Sequence, residues 1–338
     1  MDILGADDLP WLSGAQSQLR SALESLRLPH SLLLLSTPGL GAELLANWIT
    51  ALALCESTDA KPCGGCASCQ LLRSDSHPDS HYVRREEDAQ QIKVDQVRVL
   101  IESLALKSYR GGYKLGVIEG AESLNANAAN AFLKTLEEPT ADTMLILIAR
   151  PSHRLPATIA SRCLRMTLQP PAVDVGIAWL KAHAVVESEA AAKPAFADAR
   201  WQAALGLAGG APLLALELDA AGVAALDADM RESLRQLADA SVDVTLLAER
   251  WMRANPGLRI TWLENWITQR VHAALGQGPS HQSAEPVRLP AALLKPKIRA
   301  LFELLDAARE LRRLASTGMN QQLALEALLL GSRAALAK

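Results

Sequence analysis

The chain has 338 residues, enough for two or three domains. Its 49% hydrophobic content argues against disorder, and with only 4% aromatic residues the core must be built from Leu, Ala, Val and Ile. A formal net charge of -3 gives no global basic field toward nucleic acid, and no uninterrupted apolar run reaches membrane-spanning length.

The first eight residues are acidic and lack the positive region of a signal peptide, so the expected location is cytoplasmic, where disulfides are disfavoured. Residues 1–170 alternate apolar runs with helical patterns, which predicts an α/β domain with a mainly parallel sheet. The expected strands are 30–36, 80–83, 114–119 and 143–149.

The first strand runs into Ser36-Thr37-Pro38-Gly39-Leu40-Gly41-Ala42-Glu43, and an apolar helix follows. That is the layout of a phosphate-binding loop, G-x-x-x-x-G-K-[ST]. Ser36 takes the first glycine position, Gly39 and Gly41 stand in register, Ala42 takes the lysine position and Glu43 the hydroxyl position. The lysine neutralises the β- and γ-phosphates and the hydroxyl holds magnesium. Alanine does neither, and a carboxylate at the loop's mouth repels the anion that a helix N-terminus attracts. An ordinary strand-to-helix turn with glycines is the other reading of this segment.

Next comes Cys55-x7-Cys63-x2-Cys66-x2-Cys69, with Gly64 and Gly65 where a metal loop must turn tightly. Four thiolates make a closed tetrahedral zinc site, structural because no position is left for water. A disulfide or free thiols are the alternatives. Val94, Val97, Leu100, Ile101 and Leu104 fall at helical spacing. A working ATPase ends the next strand in two acids, one for magnesium and one to activate water. Here that strand ends Glu119-Gly120. Glu119 can stand for the first acid or simply close a strand; Gly120 cannot act as a base.

A further helix is expected over 125–138, stopped at Pro139. Beyond Pro170-Pro171 the strand patterns end. Residues 171–215 read as a small helical unit that ends just after Gly209-Gly210-Ala211-Pro212, and 216–338 as Leu/Ala-rich helices with an internal loop at 276–290. The stripes Leu301, Leu304, Leu305, Ala308 and Leu323, Leu325, Leu328, Leu329 read as helix-bundle core ahead of partner interface.

Several ordered blocks carry a resemblance. They include Pro38-Gly39-Leu40-Gly41, the cysteine module, His77-Pro78-Asp79, Val94-Asp95-Gln96-Val97-Arg98, Leu133-Lys134-Thr135-Leu136-Glu137-Glu138-Pro139 and Ser161-Arg162-Cys163. On these the chain resembles the AAA+ clamp-loader family of bacterial DNA polymerase III. The resemblance covers 1–170 well; the carboxy-terminal half matches in length and helical character with weak motifs only. It implies an AAA+ domain over 1–170 with the zinc module at 55–69, a helical lid over 171–215 and an all-α collar over 216–338.

Within that family the catalytic gamma/tau subunit keeps its lysine and acids, and this sequence departs from it. The positions matching the sensor threonine and the lid arginine are Ala149 and Leu213. The resemblance therefore implies a non-catalytic stator with no functional ATP site and one structural zinc. Its partners would be gamma/tau and delta subunits in a hetero-pentameric ring, with the sliding clamp and primed DNA met through the complex and no membrane involved. The Ser161-Arg162-Cys163 arginine would act in trans on ATP held by the adjacent subunit, where phosphoryl transfer accumulates charge. Pro156 suits the first turn of the short helix presenting it. A gamma/tau-like active ATPase is the alternative, opposed by Ala42, Glu43 and Gly120. A zinc-dependent nucleic-acid binder is opposed by the charge and by the lack of aromatic–basic clusters.

Overall fold

The computed structural model describes residues 2–86, 89, 91–151, 155–183, 194–220, 222–274, 298–314 and 321–336. These fall into two compact units, Met1–Pro171 and Ala172–Lys338.

The first unit opens with two 3-10 turns, Gly5–Asp8 and Pro10–Leu12. Its elements then run α1 (Ser13–Glu24), β1 (Ser31–Leu35), α2 (Ala42–Leu54), α3 (Ala67–Arg73), β2 (Ser80–Val83), α4 (Val94–Ala105), β3 (Lys114–Glu119), α5 (Ala126–Glu137), β4 (Thr143–Ala149), α6 (Ala157–Ala160) and β5 (Leu164–Thr167). The strands form one parallel sheet in the order β2-β3-β4-β1-β5. Burial on both faces explains the near-continuous apolar runs: every residue of β4 is buried. Leu33 of β1 pairs with Leu147 of β4 on one side and Arg165 of β5 on the other.

Three of the expected strands match, the first is shorter by one residue at each end, and β5 was not foreseen. β5 is an edge strand whose Leu164 and Arg165 are exposed, so it has no buried face to print an alternation on the sequence. Helices α4 and α5 cover one side of the sheet through Leu100, Leu104, Phe132 and Leu136 against Leu145 and Leu147. Each such side chain contributes about 1.5–3 kcal/mol by leaving water.

Helix boundaries follow from local chemistry. The Asn125 side chain accepts from the Ala128 N–H and caps α5, and the Gln96 side chain accepts from the Lys93 N–H at the start of α4. Lys114 is buried, and its Nζ donates to the carbonyls of Leu104 (2.6 Å) and Leu106 (2.9 Å) and to Thr140 Oγ1 (2.8 Å). A cation thus closes the C-terminal, negative end of α4 at the start of β3, the end of the strand opposite the loop that follows it.

The second unit holds α7 (Val173–His183), α8 (Pro194–Leu207), α9 (Pro212–Ala220), α10 (Val223–Ala238), α11 (Val244–Arg253), α12 (Pro256–Ala274), α13 (Ile298–Leu314) and α14 (Gln321–Leu336). The described residues there contain no strand. The boundary expected at 215 falls inside α9, because Pro212 starts that helix and the next breaker is Gly222 (φ 82°). Within this unit the Asn265 side chain of α12 donates to the last carbonyls of α8, Gly206 (3.2 Å) and Leu207 (2.7 Å). Of the two leucine stripes, Leu301, Leu304, Leu305, Ala308, Leu325, Leu328 and Leu329 are buried, whereas Leu323 stands 65% exposed. The loop expected at 276–290 lies outside the described residues. No helix among the described residues is long and apolar enough to cross a membrane.

Candidate functional site

The loop after β1, expected to follow a phosphate-binding course, turns into α2 through two glycines. Gly39 (φ 83°) and Gly41 (φ 85°) take left-handed conformations, and Gly41 is the residue before α2. At φ 85° a side chain is strained, so the turn itself calls for glycine there whether or not a phosphate binds. Ala42 is 2% exposed and its methyl packs into the core, while Glu43 is exposed in the first helical turn. A carboxylate there already compensates the positive end of the α2 dipole. The Trp11 indole N–H donates to the Leu40 carbonyl at 2.9 Å and pins the loop from the amino-terminal segment. The Ser36 hydroxyl turns inward to the Thr37 carbonyl (2.9 Å).

Glu119 ends β3 beside this loop. Burial raises its carboxyl above the usual range, and the nearby Glu43 and Asp75 carboxylates push the same way while Arg84 opposes them. Gly120 has φ 72° and turns the chain into a short 3-10 helix, Ala121–Ser123. A glutamate at that position would be strained as well as misdirected. Tyr82 donates from its hydroxyl to Asn47 Oδ1 at 3.0 Å, joining β2 to α2. Ala149, where the sensor threonine was expected to be replaced, is buried at the end of β4, and its carbonyl accepts from the Ser36 N–H at 3.0 Å. Leu213, expected to match the lid arginine, is half-buried in the first turn of α9.

The four cysteines of the module converge. Their sulfurs all lie within 4.8 Å of one another, and Cys55 Sγ and Cys66 Sγ are 3.9 Å apart. Tetrahedral zinc with sulfurs at about 2.3 Å requires S–S separations near 3.8 Å. All five cysteines are free thiols, with Cys163 apart from the module. Backbone N–H groups aim at the sulfurs: Cys63 N to Cys55 Sγ (3.4 Å), Cys66 N to Cys63 Sγ (3.3 Å) and Cys69 N to Cys66 Sγ (3.5 Å). Donation from the Gly65 and Cys66 backbone brings the Cys63 thiol down to about 6, whereas burial pushes Cys55 and Cys69 up. The donor set therefore fits a soft dication, whose charge would offset the burial of the two inner thiolates.

A polar network that the sequence reading did not foresee anchors this module. Asp79 is 3% exposed and accepts from Tyr109 N (2.7 Å), Arg110 N (3.0 Å) and Ser108 Oγ (3.1 Å). The Asp79 N–H donates to His77 Nδ1 (3.1 Å), so the neutral ring carries its proton on Nε2 and donates to Ser68 Oγ (3.1 Å). Ser68 in turn donates to Glu56 Oε1 (2.9 Å), which also takes Arg110 Nε (2.8 Å). His77-Pro78-Asp79 thus fixes the cysteine module to the start of β2 and to the 108–110 turn. The only hint in the sequence was the block itself.

Arg162 follows α6, and Pro156 is the residue before that helix rather than within its first turn. The guanidinium is ion-paired within the chain: its Nε donates to Glu137 Oε1 at 2.6 Å, Nη2 reaches the same oxygen, and Nη1 donates to the Thr158 carbonyl at 2.8 Å. The side chain remains 34% exposed.

A family model described as "DNA polymerase III, delta subunit" matches residues 12–172, which include every one of these sites except Leu213. DNA polymerase III subunit delta' of Pseudomonas aeruginosa is 34% identical over 330 residues, covering 96% of this chain and 97% of that relative. The chain belongs to the DNA polymerase III subunit delta' family. Subunit delta' of Escherichia coli is 35% identical over 210 residues, 62% of this chain and 60% of that relative. A solved DNA polymerase III gamma subunit-related protein from Thermotoga maritima aligns over 95% of this chain and 99% of its own at 16% identity, with a TM-score of 0.44.

Proposed function

We propose that this protein is a non-catalytic clamp-loader subunit of DNA polymerase III. It would stand as a stator in a hetero-pentameric ring with gamma/tau and delta subunits that places the sliding clamp on primed DNA. The observation that carries the reading is full-length likeness to subunit delta' combined with a phosphate loop that holds Ala42 and Glu43 where a cation and a hydroxyl belong. The site chemistry supports it: a nucleotide triphosphate here would face Glu43 and Glu119 with no lysine to neutralise it. Under this reading the domain limits are an AAA+ body to Pro170, a helical lid and a helical collar, with the lid boundary moved beyond α9.

The cysteine cluster is assigned one structural zinc held by Cys55, Cys63, Cys66 and Cys69; the ion would supply fold stability and no reaction step. Arg162 is assigned the trans role, a guanidinium reaching the γ-phosphate bound by the adjacent subunit, and the setting is cytoplasmic.

The test is reconstitution with delta and gamma/tau subunits. Arg162→Ala should leave this chain folded and the ring assembled, yet lower DNA-stimulated ATP hydrolysis and clamp loading by about tenfold or more. Arg162→Lys should rescue poorly, because an ammonium keeps the charge and loses the planar fork. Normal clamp loading and hydrolysis in the alanine variant would end the trans assignment.

A further inference from the structure

Arg162 offers five N–H donors arranged along the edges of a rigid plane. The side-on edge, Nε and Nη2, is taken by a single oxygen, Glu137 Oε1, and Nη1 donates to the Thr158 carbonyl at 2.8 Å, with Ser161 Oγ a longer partner at 3.4 Å from the same nitrogen. The end-on edge is the least engaged: Nη2 keeps one N–H there beyond the described contacts, and the second N–H of Nη1 has only the long contact to Ser161 Oγ. That pair is the fork that recognises two oxygens of a phosphate. The two anchors sit on different elements, Glu137 at the last residue of α5 and Thr158 within α6, so the plane of the guanidinium is set by packed helices and not by its own flexible stem.

A second feature separates this contact from an incidental surface pair. Helix α5 ends in Glu137-Glu138, two carboxylates at the negative end of a helix dipole, the opposite of the arrangement that stabilises a helix. Glu137 is 48% exposed, so the pair contributes little to stability in return.

We propose that Glu137 is a positioning residue for Arg162. It occupies the side-on edge and fixes the guanidinium so that the end-on edge is presented, already oriented, to the γ-phosphate held by the adjacent subunit. The inference rests on the trans role assigned to Arg162 above. An unheld arginine would lose side-chain entropy on becoming ordered at the phosphate. Small misplacements at a transition state are costly, with about 1 Å worth up to a hundredfold.

The test uses the reconstituted complex with ATP and primed DNA. Glu137→Ala should lower kcat of hydrolysis about fivefold or more while KM for ATP stays within about twofold, since only orientation is lost. Glu137→Gln should retain most of the rate, because one amide oxygen can accept both hydrogen bonds that Oε1 now accepts. Adding Glu137→Ala to Arg162→Ala should lower the rate no further, because Glu137 acts only through that side chain. A thermal melt of the Glu137→Ala chain, expected to match the parent, separates positioning from unfolding. An unchanged or raised kcat in Glu137→Ala, or a double variant that multiplies the two single losses, would overturn the proposal while leaving the trans role intact if Arg162→Ala is impaired. An unimpaired Arg162→Ala would overturn both.

Discussion

Replacing Asp79 by Asn should destabilise the sheet unit far more than an isosteric change suggests. Both carboxylate oxygens are used: Oδ1 accepts from Tyr109 N, and Oδ2 from Arg110 N and Ser108 Oγ. With its oxygen on the Oδ2 side, an asparagine keeps two bonds and points an NH2 at the Tyr109 N–H, leaving donor against donor at a site only 3% exposed. The flipped amide loses the Arg110 N bond and lets only the serine hydroxyl rotate to compensate. A hydrogen bond to a charged group is worth about 1.5–3 kcal/mol, and a stranded buried donor costs about 1–3 kcal/mol. Because these overlap for one contact, the expected loss is about 2–4 kcal/mol, or about thirtyfold to a thousandfold in the unfolding equilibrium. Native-state hydrogen exchange of the full chain reads this directly, as lowered protection of amides in β2 and β3. Asp95→Asn is the control: its ion pair with Arg98 is exposed, and the change should stay within about 0.5 kcal/mol. If β2 and β3 keep their protection to within about threefold in Asp79→Asn, the network is not holding the unit together and the reasoning fails.

Calorimetry on the isolated chain should show no magnesium-dependent ATP binding, and Ala42→Lys should not restore turnover, because Gly120 still supplies no base and Glu43 and Glu119 still oppose the phosphates; micromolar binding by the parent would refute this. Protein purified under reducing conditions should carry about one zinc per chain. Cys66→Ser should lose the metal and stability together, a link that elemental analysis paired with a melt can break. Burial lowers the pKa of both His77 and His81 in the folded chain, so the unfolded chain binds protons first. The stability they contribute is full above about pH 6.5 and is lost as pH falls below it toward their folded values. Urea midpoints should therefore drop between pH 7.5 and 5.5, and drop less in His81→Gln; equal drops would show that His81 is not titrating with folding.

The sequence by itself determined the backbone plan of the first unit and the identities at its sites. Parallel strands buried on both faces print apolar runs, so Lys114–Glu119 and Thr143–Ala149 could be read without coordinates. The cysteine spacing and the alanine at position 42 are facts of residue type, legible because residue identity needs no geometry. Only the tertiary structure decided what depends on distant residues meeting. β5 was invisible because none of its four residues is buried, so it leaves no apolar pattern. The Asp79 network joins residues 29 to 31 positions apart, and the Arg162–Glu137 pair spans 25. Lys114 reads in sequence as a polar strand end, yet it lies buried and closes a helix ten residues before it. Hydrophobic periodicity records which face of an element leaves water; which polar groups then find one another across the core is fixed by packing, and no local pattern encodes it.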